Sequence, residues 1–184
     1  KGSRQVPAAL LFLGDRFAAI DKPAGLSLRT SRADPHGAAR GLIEALRFRD
    51  RELFAGREPQ LVHRLDESTS GVVLVALDVD IHRELVTRFA ERQAEKRYLA
   101  LVHGIPEVQE IDLPIAPHPS DPRRVRTGML RGDHVGRGER AAHTEILKVT
   151  PVPGTQERVA EIEVRAGAAA RHQVRAHLSS LGHP

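Results

Sequence analysis

Short apolar runs punctuated by turn residues dominate the chain, with three stretches of helical spacing set among them. Leu10 to Leu13 and Phe17 to Ile20 flank Gly14-Asp15, a pair that accepts positive φ, so the pattern predicts a β-hairpin. Lys22-Pro23-Ala24-Gly25 breaks the second strand, and Asp34-Pro35 supplies an N-cap followed by a proline at the first helical position. A helix is expected from there to about Phe48, because Ala39, Leu42, Ile43 and Leu46 recur at helical spacing. Val72 to Leu77 is instead an unbroken, mostly β-branched run, which predicts a central strand covered on both faces.

A second amphipathic helix is expected from Ile81 to about Glu95, with Ile81, Leu85 and Phe89 in one stripe and Asp78 or Asp80 as its N-cap. Tyr98 to Val102 reads as the next strand. Pro106 to Gly138 has too many prolines and polar turn signals for a packed element and reads as an irregular, arginine-rich excursion. His143 to Val149 and Arg158 to Val164 form a second antiparallel pair in this reading, and Val174, Leu178 and Leu181 mark a terminal helix. Strands outnumber helices and most connections are short. The expected fold class is α+β, a mostly antiparallel mixed sheet flanked by helices, in one domain over residues 1–184.

Length and composition sharpen this picture. At 184 residues, 40% hydrophobic and 28% charged, the chain can bury a substantial core, and no repeat or low-complexity tract interrupts it. The absence of cysteine excludes disulfide scaffolds, thiolate metal sites and cysteine catalysis, and fits a reducing, cytoplasmic compartment. The longest apolar runs are too short to cross a bilayer as helices, so no membrane partner is expected. A net charge of +4 is carried mostly by arginine, the side chain suited to bidentate phosphate contacts, which makes RNA or DNA a candidate partner.

Two polar clusters could carry chemistry. His63-Arg64-Leu65-Asp66-Glu67-Ser68-Thr69-Ser70-Gly71 lies immediately before the most apolar strand, where a rigid scaffold can hold a reachable carboxylate; on these residues alone Asp66 could equally close an Asx-turn onto Ser68. Arg171-His172-Gln173-Val174-Arg175 opens the last helix, where arginines oppose the dipole unless an anion is near; a solvated helix face is the plainer alternative. His172 and His177 sit about 140° apart around a helix and cannot easily share a metal ion. No phosphate loop, dinucleotide fingerprint or Gly-x-Ser-x-Gly elbow is present.

Taken in order, these pieces resemble the RluA family of RNA pseudouridine synthases. The resemblance rests on DKPAGL at 21–26, HRLDESTSG at 63–71, KRYLALVHG at 96–104, IDLPI at 111–115, HTEILKV at 143–149 and HQVRAHLSSLGHP at 172–184. It implies that Asp66 is the catalytic aspartate, Tyr98 the active-site tyrosine and Arg175 the arginine paired with the aspartate. Arg64 would fill the space left by the target nucleotide, and His63, Arg123, Arg124, Arg126, Arg171, His172 and Gln173 would contact RNA. The implied reaction is isomerisation of uridine to pseudouridine in structured ribosomal or transfer RNA, with no metal or other cofactor required; a monomer is the default expectation.

Ala169 and Ala170 stand where the family usually carries Gly-Arg, with Arg171 displaced by one. The expectation is a catalytic domain without an N-terminal S4-type RNA-binding domain and lacking its C-terminal end. The alternative is an RNA-binding or ribosome-assembly factor with the same fold and little catalytic activity.

Overall fold

The computed structural model describes residues 8–26, 28, 51–52, 54–57, 59–91, 93–128, 138–154, 158–167 and 170–184, and of residues 122 and 123 only the backbone. The helix expected over 35–48 lies outside the described residues. The chain divides into two compact units, Lys1–Arg88 and Phe89–Pro184. Every strand pairing among the described residues is antiparallel, which with two helices gives the expected α+β class.

In the first unit the strands β1 (Ala9–Leu13), β2 (Phe17–Lys22), β3 (Gln60–Leu61) and β4 (Gly71–Ala76) form one sheet in the order β1-β2-β4-β3. The hairpin turns at Gly14-Asp15 as expected, closed by Gly14 N–H donating to Phe17 O at 2.9 Å. Helix α1 spans Val79–Ala90. Asp78 is its N-cap, its Oδ1 accepting from Ile81 N–H at 2.8 Å. The helix stops short of the expected Glu95. Ile20, Leu26, Phe54, Val73, Val75 and Leu77 make the core, each fully buried Ile or Val contributing roughly 1.5–3 kcal/mol.

Strand β4 is central, and its two faces are covered unequally. On one face Val73 and Val75 are fully buried; on the other Ala76 is fully buried, Leu74 half-buried and Val72 52% exposed. An unbroken apolar run gives no sign of which end of a covered face lies open.

In the second unit β5 (Lys96–His103), β6 (Glu110–Asp112), β9 (His143–Pro151) and β10 (Val159–Ala166) form a sheet in the order β5-β10-β9-β6. A separate hairpin pairs β7 (Ile115–His118) with β8 (Asp121–Thr127). Much of the excursion expected at Pro106 to Gly138 is therefore ordered strand. The strands there are short, and Pro117 and Pro122 sit in a two-stranded ribbon, where a missing N–H is tolerated at an edge. Helix α2 (Gln173–Ser180) packs on this unit's core, where Val102, Ile111, Ile146, Ile162, Val164 and Leu178 meet.

Candidate active site

The HRLDESTSG segment leaves β3 and returns to β4 as a tightly held loop. Val62 N–H donates to Leu74 O at 3.0 Å, and Leu74 N–H donates to His63 Nε2 at 3.2 Å, so this imidazole ties the loop to β4. Thr69 N–H donates to Asp66 O at 3.0 Å, closing a backbone turn over Asp66 to Thr69. Leu65 packs against the core, and Gly71 enters β4 at φ 130°, a conformation that L side chains rarely adopt. These anchors leave the Asp66 side chain half-buried and Arg64 exposed.

Beneath the loop lies Lys22, fully enclosed at the end of β2. Its Nζ donates to Pro23 O and Leu26 O, both at 2.9 Å, and to Glu67 O at 3.1 Å. Three carbonyl acceptors require three donors, so the group is an ammonium. Gly25 N–H donates to the same Glu67 carbonyl at 2.7 Å. The DKPAGL turn and the Asp66 turn are thereby fastened together through one cation. Burial pushes the Lys22 ammonium below its ordinary 10.5, while the charges of Glu67 and Asp66 push it back up. Lys22 was not among the residues expected at a site. Its signal was a lysine ending an apolar strand in a chain with only four lysines.

The second unit carries the other candidates. Tyr98 lies on β5 opposite Val164 of β10, its ring against the core. Lys96, two residues earlier, holds its ammonium 4.5 Å from the Phe89 ring centroid, and burial lowers its pKa. Arg171, His172, Gln173 and Arg175 gather at the start of α2. His172 adopts φ 54°, the one positive φ at a non-glycine among the described residues. Arg171 Nε donates to His172 Nε2 at 3.1 Å, and Arg175 is exposed.

Gln173 is buried. Its Oε1 accepts from Ala170 N–H at 3.1 Å, and its Nε2 donates to His143 O at 2.8 Å and Thr144 Oγ1 at 3.1 Å. Its amide is thus engaged at both ends by the protein. Ala170, one of the two alanines that depart from the family pattern, contributes the backbone for this contact and packs with Ile115 and Ala142.

Arg124 and Arg126 are exposed on β8, and Arg126 Nη2 lies 3.3 Å from Glu139 Oε1. For Arg123 only the backbone on β8 is described. Among the described residues no group of three His, Asp or Glu could hold a metal ion, and no helix is long and apolar enough to cross a membrane.

This architecture matches a known class. Human RNA Pseudouridylate Synthase Domain Containing 1 superposes with a TM-score of 0.74 at 22% identity, covering 100% of this chain and 69% of that one. Human RNA Pseudouridylate Synthase Domain Containing 4 gives a TM-score of 0.72 at 24% identity, covering 96% of this chain and 66% of that one. The fold is that of pseudouridylate synthase domains. The family model described as RNA pseudouridylate synthase matches residues 16–180, and the chain belongs to that family.

Among relatives, an uncharacterized RNA pseudouridine synthase of Aquifex aeolicus is 32% identical, the match covering 97% of this chain and 54% of the relative. Ribosomal large subunit pseudouridine synthase D of Zymomonas mobilis is 30% identical, covering 98% of this chain and 54% of that protein. The chain spans about half the length of the curated relatives it matches.

Proposed function

We propose that this chain is the catalytic part of an RNA pseudouridine synthase, with Asp66 as its catalytic residue. The observation that carries the reading is the half-exposed Asp66 carboxylate on a loop fixed from both sides, within a family match over residues 16–180. In the reaction the bond from C1′ to N1 of a uridine breaks, the uracil turns, C1′ joins C5, the C5 proton leaves and N1 gains one. Whether a carboxylate attacks the nucleoside or takes the C2′ proton, it must be ionised and aimed. A guanidinium beside it favours the charged form and fixes its orientation, the role proposed for Arg175.

Tyr98 is proposed to stack on the detached uracil, and Arg64 to fill the gap left by an extruded uridine. Arg123, Arg124, Arg126, Arg171 and His172 are proposed to meet the RNA backbone. His63 and Gln173, engaged within the protein, support those contacts by holding their segments. The substrate is structured RNA, and relatives named for the ribosomal large subunit make its RNA the first to try, with transfer RNA second. The protein acts as a monomer without a metal or other cofactor in this reading.

The test is tritium release from large-subunit ribosomal RNA labelled at uridine C5. Release is expected with the wild-type protein and its loss with Asp66→Asn, while RNA binding persists. Release unchanged in the Asp66→Asn protein would overturn the assignment, and binding without release by the wild type would favour the RNA-binding factor.

A further inference from the structure

Polar groups with no part in the chemistry so far form one continuous chain beneath α2. His177 is fully buried; its Nε2 lies 2.8 Å from Leu113 O and its Nδ1 2.9 Å from Thr144 Oγ1. Thr144 is equally buried and receives Gln173 Nε2 at 3.1 Å. A carbonyl can only accept, so His177 carries its proton on Nε2, and Nδ1 accepts from the Thr144 hydroxyl. That hydroxyl in turn accepts from Gln173. Each donor meets one acceptor, and the arrangement closes only while His177 is neutral.

We infer that neutral His177 and Thr144 are positioning residues for Arg175, fixing the rotation and register of α2 so that its guanidinium is correctly aimed. Arg175 lies two residues from Gln173 and two from His177, between the two points where the helix is bonded to its supports. The other inward residues, Val174, Ala176 and Leu178 on the helix and Leu181 just past its end, are apolar. Apolar burial is non-directional and tolerates small rotations, whereas a chain of directed hydrogen bonds does not. Gln173 also closes the turn before the helix, where His172 already holds an unusual backbone angle.

The same chain is sensitive to acid. A second proton on His177 would make Nδ1 a donor facing Thr144 Oγ1. Thr144 would then accept twice and have to turn its own proton elsewhere. Burial lowers the His177 pKa from its ordinary 6.5; the Leu113 carbonyl and the Asp112 charge raise it, and His143 lowers it. Asp112 and His143 are themselves paired, Oδ1 to Nδ1, at 2.7 Å. β10 faces the helix with the apolar Ile162 and Val164. β8 meets it through Val125, with the exposed Arg124 and Arg126 on either side.

The inference rests on the synthase reading, so its experiment has one arm that needs no turnover. In that arm, the His177 imidazole is observed by nitrogen NMR, and amide exchange is followed over 173–180. The expected result is an Nε2–H tautomer, and faster exchange in α2 for Thr144→Val but not Thr144→Ser. In the turnover arm, kcat and KM are measured against pH with the unmodified large-subunit RNA transcript. Thr144→Val is expected to lower kcat about tenfold or more with KM within about twofold, and Thr144→Ser to restore it.

The wild-type kcat is expected to hold through the ordinary imidazole value and to fall only at lower pH, as His177 takes up its proton in the folded protein, with this acid limb flattened in His177→Gln. An Nδ1–H tautomer, a fully active Thr144→Val protein, or an unchanged limb in His177→Gln would overturn the inference. No tritium release by the wild type would instead count against the synthase reading, with the NMR arm still deciding the hydrogen-bond chain.

Discussion

The loop that carries Asp66 and the helix that carries Arg175 are both held from beneath by buried polar groups, but by opposite chemistry. Under the loop one ammonium, Lys22, gathers three carbonyls from two turns. Under the helix an amide, a hydroxyl and an imidazole pass one hydrogen bond to the next with no net charge. A point charge with three rotatable donors can fasten irregular backbone, whose carbonyls have no ladder to join. A helix already satisfies its own backbone and needs only its orientation fixed, which directed neutral bonds provide.

The comparison predicts that the charged support is the costlier one to remove. Lys22→Met keeps much of the stem's bulk but removes the ammonium from the Pro23 and Leu26 carbonyls, while Glu67 O keeps only Gly25 N–H. It should destabilise the protein by about 3 kcal/mol or more in urea melts, since each buried group left unsatisfied costs roughly 1–3 kcal/mol. Activity should fall with it, through displacement of the Asp66 turn. A melt within about 0.5 kcal/mol of wild type would mean that the carbonyls find other donors and that the cation is dispensable.

Thr144→Val is the matching break in the neutral support. The shapes are nearly the same, so the loss is the hydroxyl alone, leaving one Gln173 hydrogen and one His177 lone pair unmet. About 1–2 kcal/mol is expected in the same melts. A cost equal to that of Lys22→Met would erase the proposed difference between the two supports.

These supports were the least legible part of the sequence. Hairpin β1–β2, strands β5, β9 and β10, and both described helices follow from periodicity and turn residues. Asp66, Tyr98 and Arg175 are picked out by the family resemblance of their motifs; on the residues alone an Asx-turn, an ordinarily bonded hydroxyl and a solvated helix face are the plainer readings. Lys22 did not stand out, because its partners are backbone carbonyls, which leave no trace in residue identity. His177 read as one more helical position for the same reason: Thr144 and Leu113 are distant in sequence, and pattern alone cannot bring them together. The β7–β8 ribbon is hidden by its prolines, which in a sequence signal irregular chain and which a two-stranded ribbon accommodates.

The smallest predicted effect separates the supports by pH alone. His177 titrates lower in the folded protein than the ordinary value of 6.5, so as the pH falls the unfolded chain takes up the proton first. Stability from this group is therefore complete above about 6.5 and is lost progressively as the pH falls toward the folded value. Melts of the wild type between pH 7 and 5 should include this downward slope, and the slope should shrink in His177→Gln. Lys22→Met should lower the whole curve without changing its slope, because the ammonium keeps its proton in both states across that range. A slope that survives in His177→Gln would assign the acid sensitivity to other groups, with the His143–Asp112 pair the next to replace.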